Sequence, residues 1–170
     1  MTKVINNIEA IEAIDHIQKC NLPCLLLWET GTGKTTIVKA VAEKYGKHLT
    51  RINLNWQTGR EELIGKYVLI WWETKWQDGP LLTALKLGHW ILLDEINAAL
   101  PEVLFTIQAL TESVDGKLGN ILLAEKDWEI VITHPECRIF GTANPSDKYV
   151  WTKAFNPATL SRFVVIDVPT

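Results

Sequence analysis

The chain has 170 residues, 47% of them hydrophobic and 22% charged, and its 17 basic against 20 acidic side chains leave a formal charge of −3. That length gives one domain, residues 1–170, a sizeable core, and the composition excludes collagen-like, disordered and membrane-spanning classes. No apolar run approaches the roughly 20 residues of a bilayer-crossing helix. There is no basic-then-apolar leader, and the bulk charge does not indicate nucleic acid, so a cytoplasmic protein without a membrane partner is expected.

In chain order, Ile5, Ile8, Ile11, Ile14 and Ile17 form the stripe of an amphipathic helix that Pro23 ends. Cys24 to Trp28 is a short apolar run of the kind buried on both faces of a parallel sheet. A helix is predicted from Lys34 to Tyr45 with Gly46 as its stop, then an alternating strand from Leu49 to Asn55 and a helical turn near Glu61. Tyr67 to Trp72 reads as an inserted strand, Pro80 to Leu87 as a helix ended by Gly88, and Trp90 to Leu93 as a buried strand closing on two acids. Leu100 to Ser113 is a further helix. Ile121 to Leu123 and Glu129 to Thr133 are the arms of a hairpin, and Arg138 to Thr142 and Phe163 to Val168 are the remaining strands. Buried strands alternating with helices predict a parallel α/β sheet.

Cys20, Cys24 and Cys137 have neither zinc-ligand spacing nor the density of a disulfide framework, and reduced thiols are expected. The four histidines show no ligand spacing. Tryptophan is the compositional oddity: there are eight, and Trp71, Trp72 and Trp76 fall within six positions. A hairpin packed on the core would bury them, whereas exposed aromatics would mark a binding surface. Packing is the expected role of Trp90 and Trp128.

Between the first buried strand and the following helix stands Gly31-Thr32-Gly33-Lys34-Thr35-Thr36, the context of a phosphate-binding loop. Glycines let successive backbone N–H groups converge, the helix N-terminus adds its positive end, and Lys34 brings a point charge to the β- and γ-phosphates. Thr35 would coordinate Mg²⁺. The full pattern has glycine where this chain has Trp28. Some sixty residues on, Ile91-Leu92-Leu93-Asp94-Glu95 puts two acids at the C-terminal end of a strand, the sheet edge where open α/β folds bind ligands. Asp94 would join the Mg²⁺ shell and Glu95 would polarise the attacking water.

Four stretches together resemble the AAA+ ATPases, and within them the dynein-related group that includes midasin and MoxR-type proteins: Glu29 to Thr36, Arg51 to Gly65, Asp78 to Asn97, and His134 to Pro145. The resemblance implies a P-loop NTPase three-layer sandwich with core strand order 5-1-4-3-2, and it includes Glu29 and Thr30 in the nucleotide loop. It makes Asn144 the sensor 1 residue near the γ-phosphate and Arg162, in Leu160-Ser161-Arg162-Phe163, an arginine finger for the neighbouring subunit's nucleotide. It also places the inserted Trp71–Trp76 segment where this group faces a pore or substrate. The helical lid that the class carries after the last strand, with its sensor 2 arginine, does not occur within these 170 residues.

The function so implied is Mg²⁺-dependent ATP hydrolysis at a subunit interface of a homo-oligomeric ring, most often a hexamer in this class, coupled to remodelling of a protein substrate or adaptor. A GTPase motor of the restriction-enzyme type shares the same features. A nucleotide-binding scaffold with little hydrolysis is the reading that Trp28 and the missing lid favour.

Overall fold

Alternate side chains of short apolar strands point to opposite faces, so a strand that is apolar throughout needs cover on both sides. This is the architecture of the computed structural model, which describes residues 7–27, 33–144 and 157–167. Helix α1 (Asn7–Lys19) leads into strand β1 (Cys24–Leu27), followed by α2 (Lys34–Lys44), β2 (Leu49–Asn53) and a short α3 (Arg60–Ile64). An antiparallel hairpin, β3 (Gly65–Ile70) and β4 (Glu73–Asp78), precedes α4 (Pro80–Leu87), β5 (Trp90–Asp94) and α5 (Pro101–Thr111). A second hairpin, β6 (Ile121–Leu123) and β7 (Glu129–Val131), leads to β8 (Arg138–Ala143), one turn of helix α6 (Pro157–Leu160) and β9 (Val164–Asp167).

Five strands form the parallel sheet in the order β2-β5-β8-β1-β9. Numbered among themselves along the chain, these core strands run 2-3-4-1-5, which is the expected 5-1-4-3-2 order read from the other edge. On one face Cys24, Leu26, Trp90, Leu92 and Phe140 pack against Ala10 and Ile14 of α1 and Ile37, Val38 and Val41 of α2. On the other, Leu25, Ile91, Leu93 and Ile139 pack against Leu81, Leu85, Val103 and Ile107 of α4 and α5. The period-2 alternation of β1, β5 and β8 thus divides the core into two layers around one sheet.

The tryptophans correct the sequence reading in two places. The strand expected over Tyr67 to Trp72 ends at Ile70 and is half of a hairpin; its partner strand, Glu73–Asp78, is too polar to be read from the sequence. Trp71 and Trp72 form the connecting turn and are 87% and 93% exposed, so they do not pack on the core. Trp76 is half-buried, packed edge-on to Tyr67 with ring centroids 5.2 Å apart, and donates its Nε1–H to Asp78 Oδ1 at 2.7 Å. Trp128 is also exposed, because Asp127 and Trp128 both adopt positive φ in the turn of the second hairpin and swing the indole outward. Trp90 is buried against Tyr45 and Phe140, as expected. Cys20 is exposed, Cys24 and Cys137 are buried, and all three are free thiols.

Candidate active site

All five core strands run the same way, so their C-terminal ends share one edge, and the loop-to-helix turns at that edge carry the polar residues. Gly33 stands ahead of α2 with φ 85°, a left-handed conformation that glycine reaches without a Cβ clash, and its carbonyl accepts the Ile37 N–H at 3.0 Å. Lys34, Thr35 and Thr36 form the first turn of α2, with Lys34 and Thr35 half-buried and Thr36 exposed. Of the expected nucleotide loop, Glu29, Thr30, Gly31 and Thr32 lie outside the described residues, as does Trp28.

The structure brings Lys34 and Asn144 together. Lys34 Nζ donates to Asn144 Oδ1 at 2.6 Å and to the Ala143 carbonyl at 3.4 Å, joining the start of α2 to the end of β8. Burial lowers the Lys34 pKa from its ordinary value, and the negative charges of Asp94 and Glu95 act in the opposite direction. The Lys34 ammonium thus sits against Asn144 in the field of both acids. Asn144 is itself buried, and its carbonyl accepts from Asn97 Nδ2 at 3.3 Å.

Asp94 ends β5 with a buried side chain, and Glu95 follows it, exposed. Glu95 adopts φ 58° and ψ 46°, left-handed for a non-glycine residue, where the strand ends. Conformations of that type cost on the order of 1–3 kcal/mol and collect at functional sites. The Glu95 N–H donates to Thr142 Oγ1 at 3.2 Å, and the Thr142 hydroxyl donates to Asp94 Oδ1. Arg51, from the neighbouring strand β2, donates from Nε to Asp94 Oδ2 at 2.9 Å and also from Nη2.

Thr142, Arg51 and Asn97 are site residues that sequence reasoning missed. The implied strand order makes β2 and β5 neighbours, and that was the available signal for an Arg51–Asp94 pair. For a hard divalent cation the donors present fit: the Thr35 hydroxyl and the Asp94 carboxylate are both oxygen ligands. Among the described residues no group of three or more His, Cys, Asp or Glu side chains could hold a metal alone.

Arg162 lies elsewhere. It precedes β9, and the Val164 N–H bonds the Pro23 carbonyl at 2.8 Å at the entry to β1, so the guanidinium sits at the N-terminal edge of the sheet. Its Nη1 donates to the Ala158 carbonyl at 2.7 Å, and its buried Nε has no partner among the described residues. It lines a cavity of about 450 Å³ with Leu22, Pro23, Glu112 and Phe163.

A family model described as an AAA domain of the dynein-related subfamily matches residues 23–163. Midasin of Giardia intestinalis is 37% identical over 148 residues, covering 86% of this chain and 3% of that protein. Protein CbbQ of Hydrogenophilus thermoluteolus is 31% identical over 159 residues, covering 94% of this chain and 57% of that protein. The chain thus spans a small part of the one and a little over half of the other. A crystal structure described as a candidate ATPase from Cytophaga hutchinsonii matches with a TM-score of 0.73 over 98% of this chain and 47% of that one, a likeness of fold at 18% identity. The family match covers Lys34, Asp94, Glu95 and Asn144, and the chain belongs to the dynein-related subfamily of AAA domains, within the AAA+ ATPases.

Proposed function

We propose that residues 1–170 act as one nucleotide-binding core that binds and hydrolyses ATP with Mg²⁺ at a subunit interface and couples turnover to the remodelling of a protein partner. The observation that carries this reading is the 2.6 Å contact between Lys34 Nζ and Asn144 Oδ1, in the field of Asp94 and Glu95. An ammonium group held in that way is preplaced for the terminal phosphates. Asn144 keeps it there and, once phosphate competes for the ammonium, has an amide to offer to the water or the γ-phosphate. Thr35 and Asp94 would hold the cation. Bound magnesium would supply a Lewis acid that neutralises charge on the phosphate oxygens.

Glu95 is the exposed acid of the pair, next to the Asp94 network on a left-handed backbone. It would accept the proton of the attacking water. Arg162 is too far from these groups to serve its own chain. Strands of four to six residues rise roughly 3.3 Å per residue, which puts on the order of 13–20 Å between the two sheet edges. Its role would therefore be on a neighbouring copy, which supports a ring with sites between subunits. The exposed Trp71 and Trp72 suit engagement of a protein partner.

The test is a nucleotide-dependent shift in Tm followed by turnover. A ligand at 100 times its Kd adds about 2.7 kcal/mol of stability, so Mg-ATP at millimolar concentration raises the Tm. Glu95→Gln keeps that shift and loses turnover by about two orders of magnitude or more. No shift in wild type, or undiminished hydrolysis in Glu95→Gln, refutes the reading. Running GTP beside ATP identifies the base.

A further inference from the structure

Arg51 sits mid-strand in β2, in register with Leu92, two residues short of Asp94 along β5. From there its guanidinium reaches forward to the acid, with Nε and Nη2 both on Oδ2, while the Thr142 hydroxyl takes Oδ1. A carboxylate offers about four acceptor positions, and three hydrogen bonds already occupy Asp94. The two partners differ in their access to water: the Asp94 side chain is 10% exposed and that of Arg51 is 56% exposed. Letting go therefore costs the arginine little, because its head returns to solvent, whereas the buried acid cannot stand without a cationic partner.

We propose that Arg51 is a positioning residue that serves as a releasable counter-ion on Asp94. It fixes the carboxylate in the nucleotide-free protein and keeps a lone divalent cation from settling there before a triphosphate arrives. This inference rests on Asp94 being the metal-binding acid of the proposed function. The physical basis is competition for Oδ2: a cation arriving alone meets a unit positive charge in hydrogen-bond contact with its ligand. A cation arriving with a triphosphate brings anionic oxygens that give the displaced guanidinium a new bidentate partner. Lysine would carry the charge without the planar fork that grips one oxygen through two donors.

The test measures Mn²⁺ binding to the nucleotide-free chain by electron paramagnetic resonance. Arg51→Gln is expected to bind free Mn²⁺ about tenfold tighter than wild type, the size expected for removing a unit charge beside a divalent ion at a partly exposed site. Arg51→Lys is expected to fall between the two. Equal or weaker Mn²⁺ affinity in a folded Arg51→Gln overturns the proposal. A second measurement needs no variant: the Arg51 Nε–H resonance of wild type shifts on adding Mg²⁺ with a non-hydrolysable ATP analogue and stays in place with the same Mg²⁺ alone. A resonance unmoved by both also overturns it. Asp94→Asn separates the two levels. If that variant binds Mn²⁺ and Mg-nucleotide as wild type does, the assignment of Asp94 fails; if it is impaired while Arg51→Gln is unchanged, only the counter-ion role fails.

Discussion

Cys24 is enclosed between the sheet and the α1–α2 layer, and burial pushes its thiol up to about 12 from an ordinary 9.0. Cys137, whose Sγ donates to the Leu85 carbonyl at 3.4 Å, is raised to about 11 for the same reason. Because the folded state disfavours the thiolate, the unfolded chain loses its proton first. The stabilisation is complete below pH 9.0 and is lost as pH rises through 9.0 towards 12. Unfolding free energy measured by denaturant between pH 8 and 11 should fall with a slope that Cys24→Ala makes shallower, and an unchanged slope would contradict the burial argument. The site residues differ in how far they could be read at this same scale. Lys34, Asp94 and Glu95 are legible because a phosphate loop and a strand-end acid pair have fixed local spacing. Arg51 and Thr142 are not, because each meets Asp94 across the sheet, from strands 43 and 48 residues away in sequence.

Among the elements, the β3–β4 hairpin departs most from what folding alone would select. Its two-residue turn places Trp71 at φ 59°, where glycine or asparagine is the ordinary choice, and leaves two indoles in solvent. Trp76, paired with Tyr67 farther along the hairpin, carries the packing. Trp71→Gly relieves the left-handed strain and loses no buried contact, so its stability should stay within about 1 kcal/mol of wild type or improve. Trp76→Ala removes the Tyr67 contact and the bond to Asp78, and should cost about 1–3 kcal/mol. Thermal unfolding of the two variants side by side checks both; a Trp71→Gly as damaging as Trp76→Ala would mean that the turn residue packs after all. The regular elements were legible where one period dominated: 3.6 in α1 and α2, and unbroken apolar runs in β1 and β5. β4 was hidden because Glu-Thr-Lys-Trp-Gln-Asp has a single apolar side chain among polar ones and, among the described residues, pairs with its hairpin partner alone. The single turn α6 is too short to carry a period.

At the scale of the whole molecule, the parallel sheet separates the two halves of the proposed chemistry. Lys34, Asp94, Glu95 and Asn144 collect at the C-terminal edge, and Arg162 is held at the N-terminal edge by the β1–β9 pairing. No rotation of side chains within one chain closes that gap. Under the proposed function a complete site requires a second copy that presents its N-terminal edge to the first, a head-to-tail contact that closes into a ring when the rotation permits. Complementation between two inactive variants follows from this geometry. Lys34→Ala loses its own site and keeps its finger; Arg162→Ala keeps its site and loses the finger it lends. Each alone should show ATP turnover near background. In an equimolar random ring about a quarter of the interfaces pair an intact site with an intact finger, so mixing should recover up to roughly that fraction of wild-type activity per subunit. Steady-state turnover across mixing ratios, peaking near equal amounts, checks the arrangement. Full activity in Arg162→Ala by itself would show that the arginine is structural, with its bond to the Ala158 carbonyl as its role.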